Sequence, residues 1–157
     1  EALIAKAAQL SLAGRNREAA ETMTKTLDAS PGAVELLVLR AGYRELAGDV
    51  EGAMADAETL IRDAPRSSEG YYRRSSLMMK KGDLEAALLD AVDGTRAEPR
   101  NARIWRQLGD VYRAKNQKER AIEAYEQVVR PFVERDGTRG RLVYIVAKSG
   151  GSVWEAH

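Results

Sequence analysis

The sequence predicts an all-α chain, a solenoid of four stacked helix-turn-helix units followed by a C-terminal cap or tail. Three observations carry that reading. Ala19, Ala53, Ala87 and Ala121 stand 34 residues apart. Gly14, Gly48, Gly82 and Asn116 keep the same period, each five residues ahead of its alanine. Pro31, Pro65 and Pro99 keep it too, and only the last copy places another residue there, Val133, with Pro131 nearby. Residues in phase over four copies mark an internal repeat. At a period of 34 with helical patterning, each unit leaves an apolar face open and buries it only against its neighbour.

The elements follow in order. In the first repeat, about 1–33, Leu3, Ala7 and Leu10 share one helical face. Ala13 to Asn16 then turn the chain into a second helix through Ala19 and Met23. Ser30-Pro31-Gly32 ends that helix, because proline lacks a donor and disfavours helix in the residue before it. The second repeat, about 34–67, predicts helices over 34–46 and 50–62, with Asp49 as an N-cap. The third, about 68–101, predicts helices over 68–80 and 84–97, capped by Ser67 or Ser68 and by Asp83. The fourth, about 102–134, predicts helices over 102–114 and 118–134, capped first by Asn101. Asn116 stands where the other repeats turn on glycine, a place asparagine fills by tolerating the left-handed conformation.

The tail, 135–157, differs in kind. Leu142 to Ala147 reads either as a short capping helix or as an extended segment of strong β character. The alternative to partner binding is structural self-assembly, by end-to-end stacking of the repeats or by exchange of tails, which makes 138–157 one route to a homo-oligomer. The chain opens inside its first repeat, as a fragment cut from a longer protein would.

Composition removes several functions. The chain of 157 residues has 25 basic and 24 acidic side chains, a net charge of +1 that argues against nucleic acid as partner. Eighteen of the 25 basic residues are arginine, the residue suited to paired hydrogen bonds with carboxylates. Cysteine is absent, so disulfides, thiolate metal sites and cysteine nucleophiles are excluded. No apolar run approaches the roughly 20 residues that span a bilayer. His157 is the only histidine and lies at the chain's end, so no histidine triad or metal cluster assembles inside the repeats. Neither a P-loop nor a dinucleotide-binding glycine motif is present. A non-catalytic protein without cofactor or metal is expected.

The most regular stretch is Ala102 to Val129. Trp105, Leu108, Gly109 and Tyr112 follow one another at steps of three, one and three, and Ala121 and Tyr125 lie four apart. Each set shares one helical face. The pattern W-x2-L-G-x2-Y, then A-x3-aromatic, resembles the tetratricopeptide repeat family over about residues 1–134. The resemblance implies a right-handed superhelix whose first helices line a concave groove, and a scaffold or adaptor that binds a segment of a partner protein.

Applied repeat by repeat, it assigns to the groove Arg103, Arg106, Gln107, Asp110 and Arg113 in the fourth repeat and Glu69, Tyr72, Arg73, Ser76 and Met79 in the third. The second contributes Glu35, Val38, Leu39, Gly42 and Glu45, and the first roughly Glu1, then Ile4, Ala5, Ala8 and Ser11. The surface grades from small and apolar, through aromatic, to arginine-rich. A partner segment with an apolar portion over repeats one and two and acidic groups over repeats three and four is expected. The competing reading has Arg103, Arg106 and Arg113 merely pair with acids such as Asp110 and Glu69. Chaperone-binding members of the family hold a C-terminal carboxylate with a clamp of Lys, Asn and Arg. The clamp positions in repeats one to three hold Ile4, Ala8, Leu39, Glu69 and Arg73, of which only Arg73 fits. One repeat further on, only Arg103 comes near. That clamp is not expected here.

Overall fold

The computed structural model describes residues 2–136, and within them eight helices. They are α1 (Ala2–Leu12), α2 (Asn16–Ala29), α3 (Val34–Ala47), α4 (Val50–Asp63), α5 (Glu69–Lys81), α6 (Leu84–Ala97), α7 (Ala102–Ala114) and α8 (Lys118–Asp136). Every expected helix is present, with ends within a residue or two of those read from the spacing. The segment 142–147, expected as cap or extended strand, lies outside the described residues.

The turns repeat as faithfully as the helices. Gly48 takes φ 76°, and the amide of Asp49 donates to the carbonyl of Arg44 at 2.9 Å, closing the last turn of α3. Asn116 reproduces the same closure, with φ 58° and the amide of Gln117 donating to Tyr112 at 2.8 Å. Such a left-handed C-terminal residue satisfies carbonyls that the helix end would leave open. At the following helix starts, Asp49 accepts from the amide of Gly52 and Asp83 from that of Ala86, both at 3.0 Å. Asn101 accepts from the amide of Arg103 at 3.0 Å.

Of the two expected caps of α5, Ser67 accepts from the amide of Glu69 at 3.3 Å, whereas Ser68 does not cap with its side chain. Its hydroxyl and its amide both donate to Glu98 Oε2, at 2.8 and 3.0 Å, and Asn101 Nδ2 donates to the same oxygen at 3.1 Å. One carboxylate thus ties the start of α5 to the loop before α7. Three donors aimed at it hold the half-buried Glu98 carboxyl below its ordinary range, the backbone amide of Ser68 counting most.

Consecutive helices pack on one another from α1 to α8. Small residues set how closely they approach. Ala7, Ala19, Ala41, Ala53, Ala57, Ala87 and Ala91 are completely buried, and Met23, Leu60, Leu77, Ile104 and Val111 fill the space between them. Gly70 marks the tightest approach to backbone: a Cβ there would sit 2.8 Å from the amide nitrogen of Ile61 and 2.9 Å from the carbonyl of Ala57. The helices also have a near side and a far side. α5 meets α3 and α7 directly, more closely than the even-numbered helices meet each other, so the odd helices line the inner surface.

Two predictions arise from this packing. Gly70→Ala should lower stability by about 1–3 kcal/mol, since backbone cannot yield as a side chain can. Gly42→Ala, whose Cβ would lie 3.5 Å from the Arg73 guanidinium, should cost far less, and urea denaturation compares the two. Because the Glu98 pKa is lowered by folding, its contribution is complete above the unfolded value near 4.5 and fades as pH falls through the folded one. The stability advantage of wild type over Glu98→Gln should therefore shrink on acidification below about pH 4.5 in melts taken across pH.

Candidate functional site

Contacts between odd helices build the inner surface from the middle of the chain onward. Arg73 on α5 is 8% exposed, its Nη1 donating to Glu45 of α3 at 2.8 Å. Its Nε lies 2.8 Å from Glu69 Oε1, but the two atoms do not line up as a hydrogen bond, so that contact is electrostatic. Glu69 is shared: Arg103 on α7 donates to its other oxygen at 2.7 Å. The Arg103 guanidinium lies over the ring of Tyr72, 3.8 Å from its centroid. Arginine and aromatic face attract through charge and quadrupole. Beside them Gln107 is buried, donating to Ser75 Oγ at 3.1 Å and to Met79 Sδ at 3.3 Å.

The twelve residues expected to hold a partner divide by surroundings. Ile4 and Leu39 are half-buried against the cluster of Ala7, Ala19, Met23 and Leu36. Val38 is half-buried and Ala8 is exposed. Tyr72, Ser76 and Met79 are half-buried. Arg73 and Arg103 belong to the ion-pair ladder. Asp110 accepts from the Tyr125 hydroxyl at 2.7 Å and pairs with Arg113 at 3.3 Å. Burial first, and that hydrogen bond second, push the Tyr125 phenol up from its ordinary range. Arg106 stands apart: it is exposed and takes part in no ion pair among the described residues.

Sequence reasoning missed a second set of charges, between the helices of one repeat. Arg40 on α3 grips Asp56 on α4 with two hydrogen bonds, Nη2 to Oδ1 at 2.6 Å and Nε to Oδ2 at 3.1 Å. Arg44 adds a third at 2.7 Å. In the next repeat Arg74 makes the same two-pronged contact with Asp90, at 2.7 and 2.9 Å. Asp56 is 2% exposed and Asp90 5%. The signal was present: Arg40 and Arg74 are 34 apart, as are Asp56 and Asp90, and each arginine precedes its aspartate by 16. In the last repeat the same two places hold Leu108 and Ala124, both buried in one apolar cluster.

The family model for the tetratricopeptide repeat matches residues 12–68 and 72–132, well over half of the chain. The chain belongs to the tetratricopeptide repeat family. TTC0263, a thermophilic tetratricopeptide repeat protein of Thermus thermophilus, is similar in structure at a TM-score of 0.71 and 25% identity, over 95% of this chain and 81% of that one. MamA from residue 41 onward, of Desulfovibrio magneticus RS-1, superposes at a TM-score of 0.66 with 18% identity, over 96% of each chain. A tetratricopeptide repeat protein of Parabacteroides merdae ATCC 43184 gives 0.69 at 19% identity, over 93% of this chain and 57% of that one. At those last two identities the likeness is one of fold. No curated protein sequence was found to match this chain.

Tetratricopeptide repeat proteins generally mediate protein–protein interaction and scaffolding, and the fold is typically non-catalytic. No described helix of this member is long and apolar enough to cross a membrane.

The internal exchange of Arg–Asp for Leu–Ala can be tested within one repeat. Asp90→Ala leaves Arg74 facing an apolar seam. It should cost about 2 kcal/mol, less than the roughly 3–5 of a fully buried pair, because Arg74 keeps contact with water. Arg74→Leu combined with Asp90→Ala recreates the last repeat's pairing and should recover most of that loss in the same denaturation measurement.

Proposed function

We propose that this chain is a non-catalytic interaction module that holds a segment of a partner protein along its inner surface. The segment lays an apolar portion over repeats one and two, at Ile4, Ala8, Val38 and Leu39. It lays acidic groups over repeats three and four, within reach of Arg103 and Arg106, with Arg73 buried beneath them.

One observation carries the reading: over repeats three and four the inner surface has more positive charge than it can neutralise. Apart from the Asp110–Arg113 pair, Arg73, Lys80, Arg103 and Arg106 share two carboxylates, Glu45 and Glu69. The competing reading, in which these arginines only pair internally, accounts for Arg103 with Glu69 and Arg113 with Asp110. It leaves Arg106 over. Arg103 already lies flat on Tyr72, so an incoming carboxylate meets a guanidinium whose conformation is largely paid for in advance. Ser76 and Met79 lie between the apolar and cationic ends, where a bound segment would cross. An acidic ligand here gains on-rate from the surplus charge and specificity from the arginine fork.

Reversing the charge of Arg103 and Arg106 to Glu should weaken partner capture at least about tenfold, the loss of one charge-assisted contact or more. Capture is measured alongside circular dichroism to show that the helices remain. Equal capture by wild type and Arg103→Glu/Arg106→Glu would overturn the proposal.

A further inference from the structure

A second candidate site lies away from the inner stripe, between the first two repeats. A hollow of about 360 Å³ opens there, its floor made by Leu27, Val34 and Leu37 and its rim by Pro31, Asp28 and Asp63. That volume is in the range of about 300 Å³ upward in which bound groups are commonly held.

The chain itself shows what fits such a place. Leu37, Tyr71 and Trp105 are successive residues at one position of the 34-residue repeat. In the last repeat the Trp105 indole reaches back to the preceding loop, its Nε1 donating to the carbonyl of Pro99 at 2.8 Å. Pro31 and Leu37 are the counterparts of Pro99 and Trp105, and both line the hollow. Leucine has no ring to span the gap and no donor for the carbonyl. Among the described residues, the Pro31 carbonyl accepts no hydrogen bond.

We propose that this hollow binds an aromatic side chain, indole before phenol or phenyl, presented by a partner protein with a cation beside it. The ring takes the space that Trp105 fills two repeats later, and its N–H donates to the Pro31 carbonyl. The neighbouring charge is set by the rim. Asp28 is exposed and forms no ion pair among the described residues. Asp63 is held only by the adjacent Arg62, in an exposed pair. The one cation lining the hollow, Arg40, is already committed to Asp56. The surplus is therefore negative, the opposite of the inner surface. The two sites call for different chemistries, and failure of one leaves the other standing.

The test is a titration of the isotopically labelled chain with the tripeptide Lys-Trp-Lys, followed by amide chemical shifts, beside Lys-Leu-Lys. Saturable shifts at Gly32, Ala33, Val34 and Thr59 are expected with the tryptophan peptide, and affinity about tenfold weaker with the leucine peptide. Leu37→Trp places an indole in the hollow from within. It should abolish the shifts and raise the melting temperature. Asp28→Lys, at an exposed site, should weaken binding while leaving the melting temperature unchanged, so the test does not depend on Leu37→Trp folding. Three results would each overturn the proposal: no saturable shift at the hollow, equal affinity for both peptides, or unchanged binding by Asp28→Lys. Shifts of the hollow's amides in Trp154→Ala without peptide would assign the place to the chain's own tail and equally overturn it.

Discussion

Close approach of helices is the constraint on which the rest of this structure depends. No pair of helices here has enough apolar surface to form a core alone, so each must lie tightly against the next. Alanine at the start of every second helix, buried in all four repeats, allows that approach. Gly70 and Gly109 carry it further. A Cβ at Gly109 would lie 2.3 Å from the ring of Tyr125, so the glycine makes room for the aromatic residue that closes its own repeat. Dense contact of this kind gains dispersion energy and leaves no space for water.

Stacking has a consequence for charge. Once first helices lie side by side, side chains that are remote in sequence become neighbours, and Glu45, Arg73, Glu69 and Arg103 join three repeats in one alternating ladder. Exposed ion pairs stabilise little, but these are partly or largely withdrawn from water and hold one another in fixed positions. The ladder stiffens the inner surface and leaves it with a cationic excess at the C-terminal end. The hollow between repeats one and two has the reverse balance. A single chain of nearly zero net charge thus presents two local fields of opposite sign, which overall composition conceals.

Much of the fold was legible in the sequence because a repeat states its message several times. Each helix, the left-handed turns at Gly14, Gly48, Gly82 and Asn116, and most caps followed from residues in phase. Of the two serines offered as the cap of α5, Ser67 takes the part, its Oγ accepting from the Glu69 amide at 3.3 Å, while the Ser68 hydroxyl donates to Glu98, 30 residues on. The Arg40–Asp56 and Arg74–Asp90 pairs were overlooked for a physical reason. Charges on amphipathic helices usually face water, and the places they take are apolar in the last repeat.

The sequence by itself determined the period, the helices and the turns that join them, since these rest on local preferences and on spacing. The inner surface lined by the odd helices was what the family resemblance implied. Only the tertiary structure decided which arginines are engaged. Arg73 is buried between two glutamates, Arg103 lies against Tyr72, and Arg106 faces solvent, although all three sit on similar helices at similar spacing. It also decided that Leu37 leaves a hollow where Trp105 fills one. The physical reason is that a side chain's partner and its access to water depend on the distance and angle between neighbouring repeats, and helix periodicity says nothing about either.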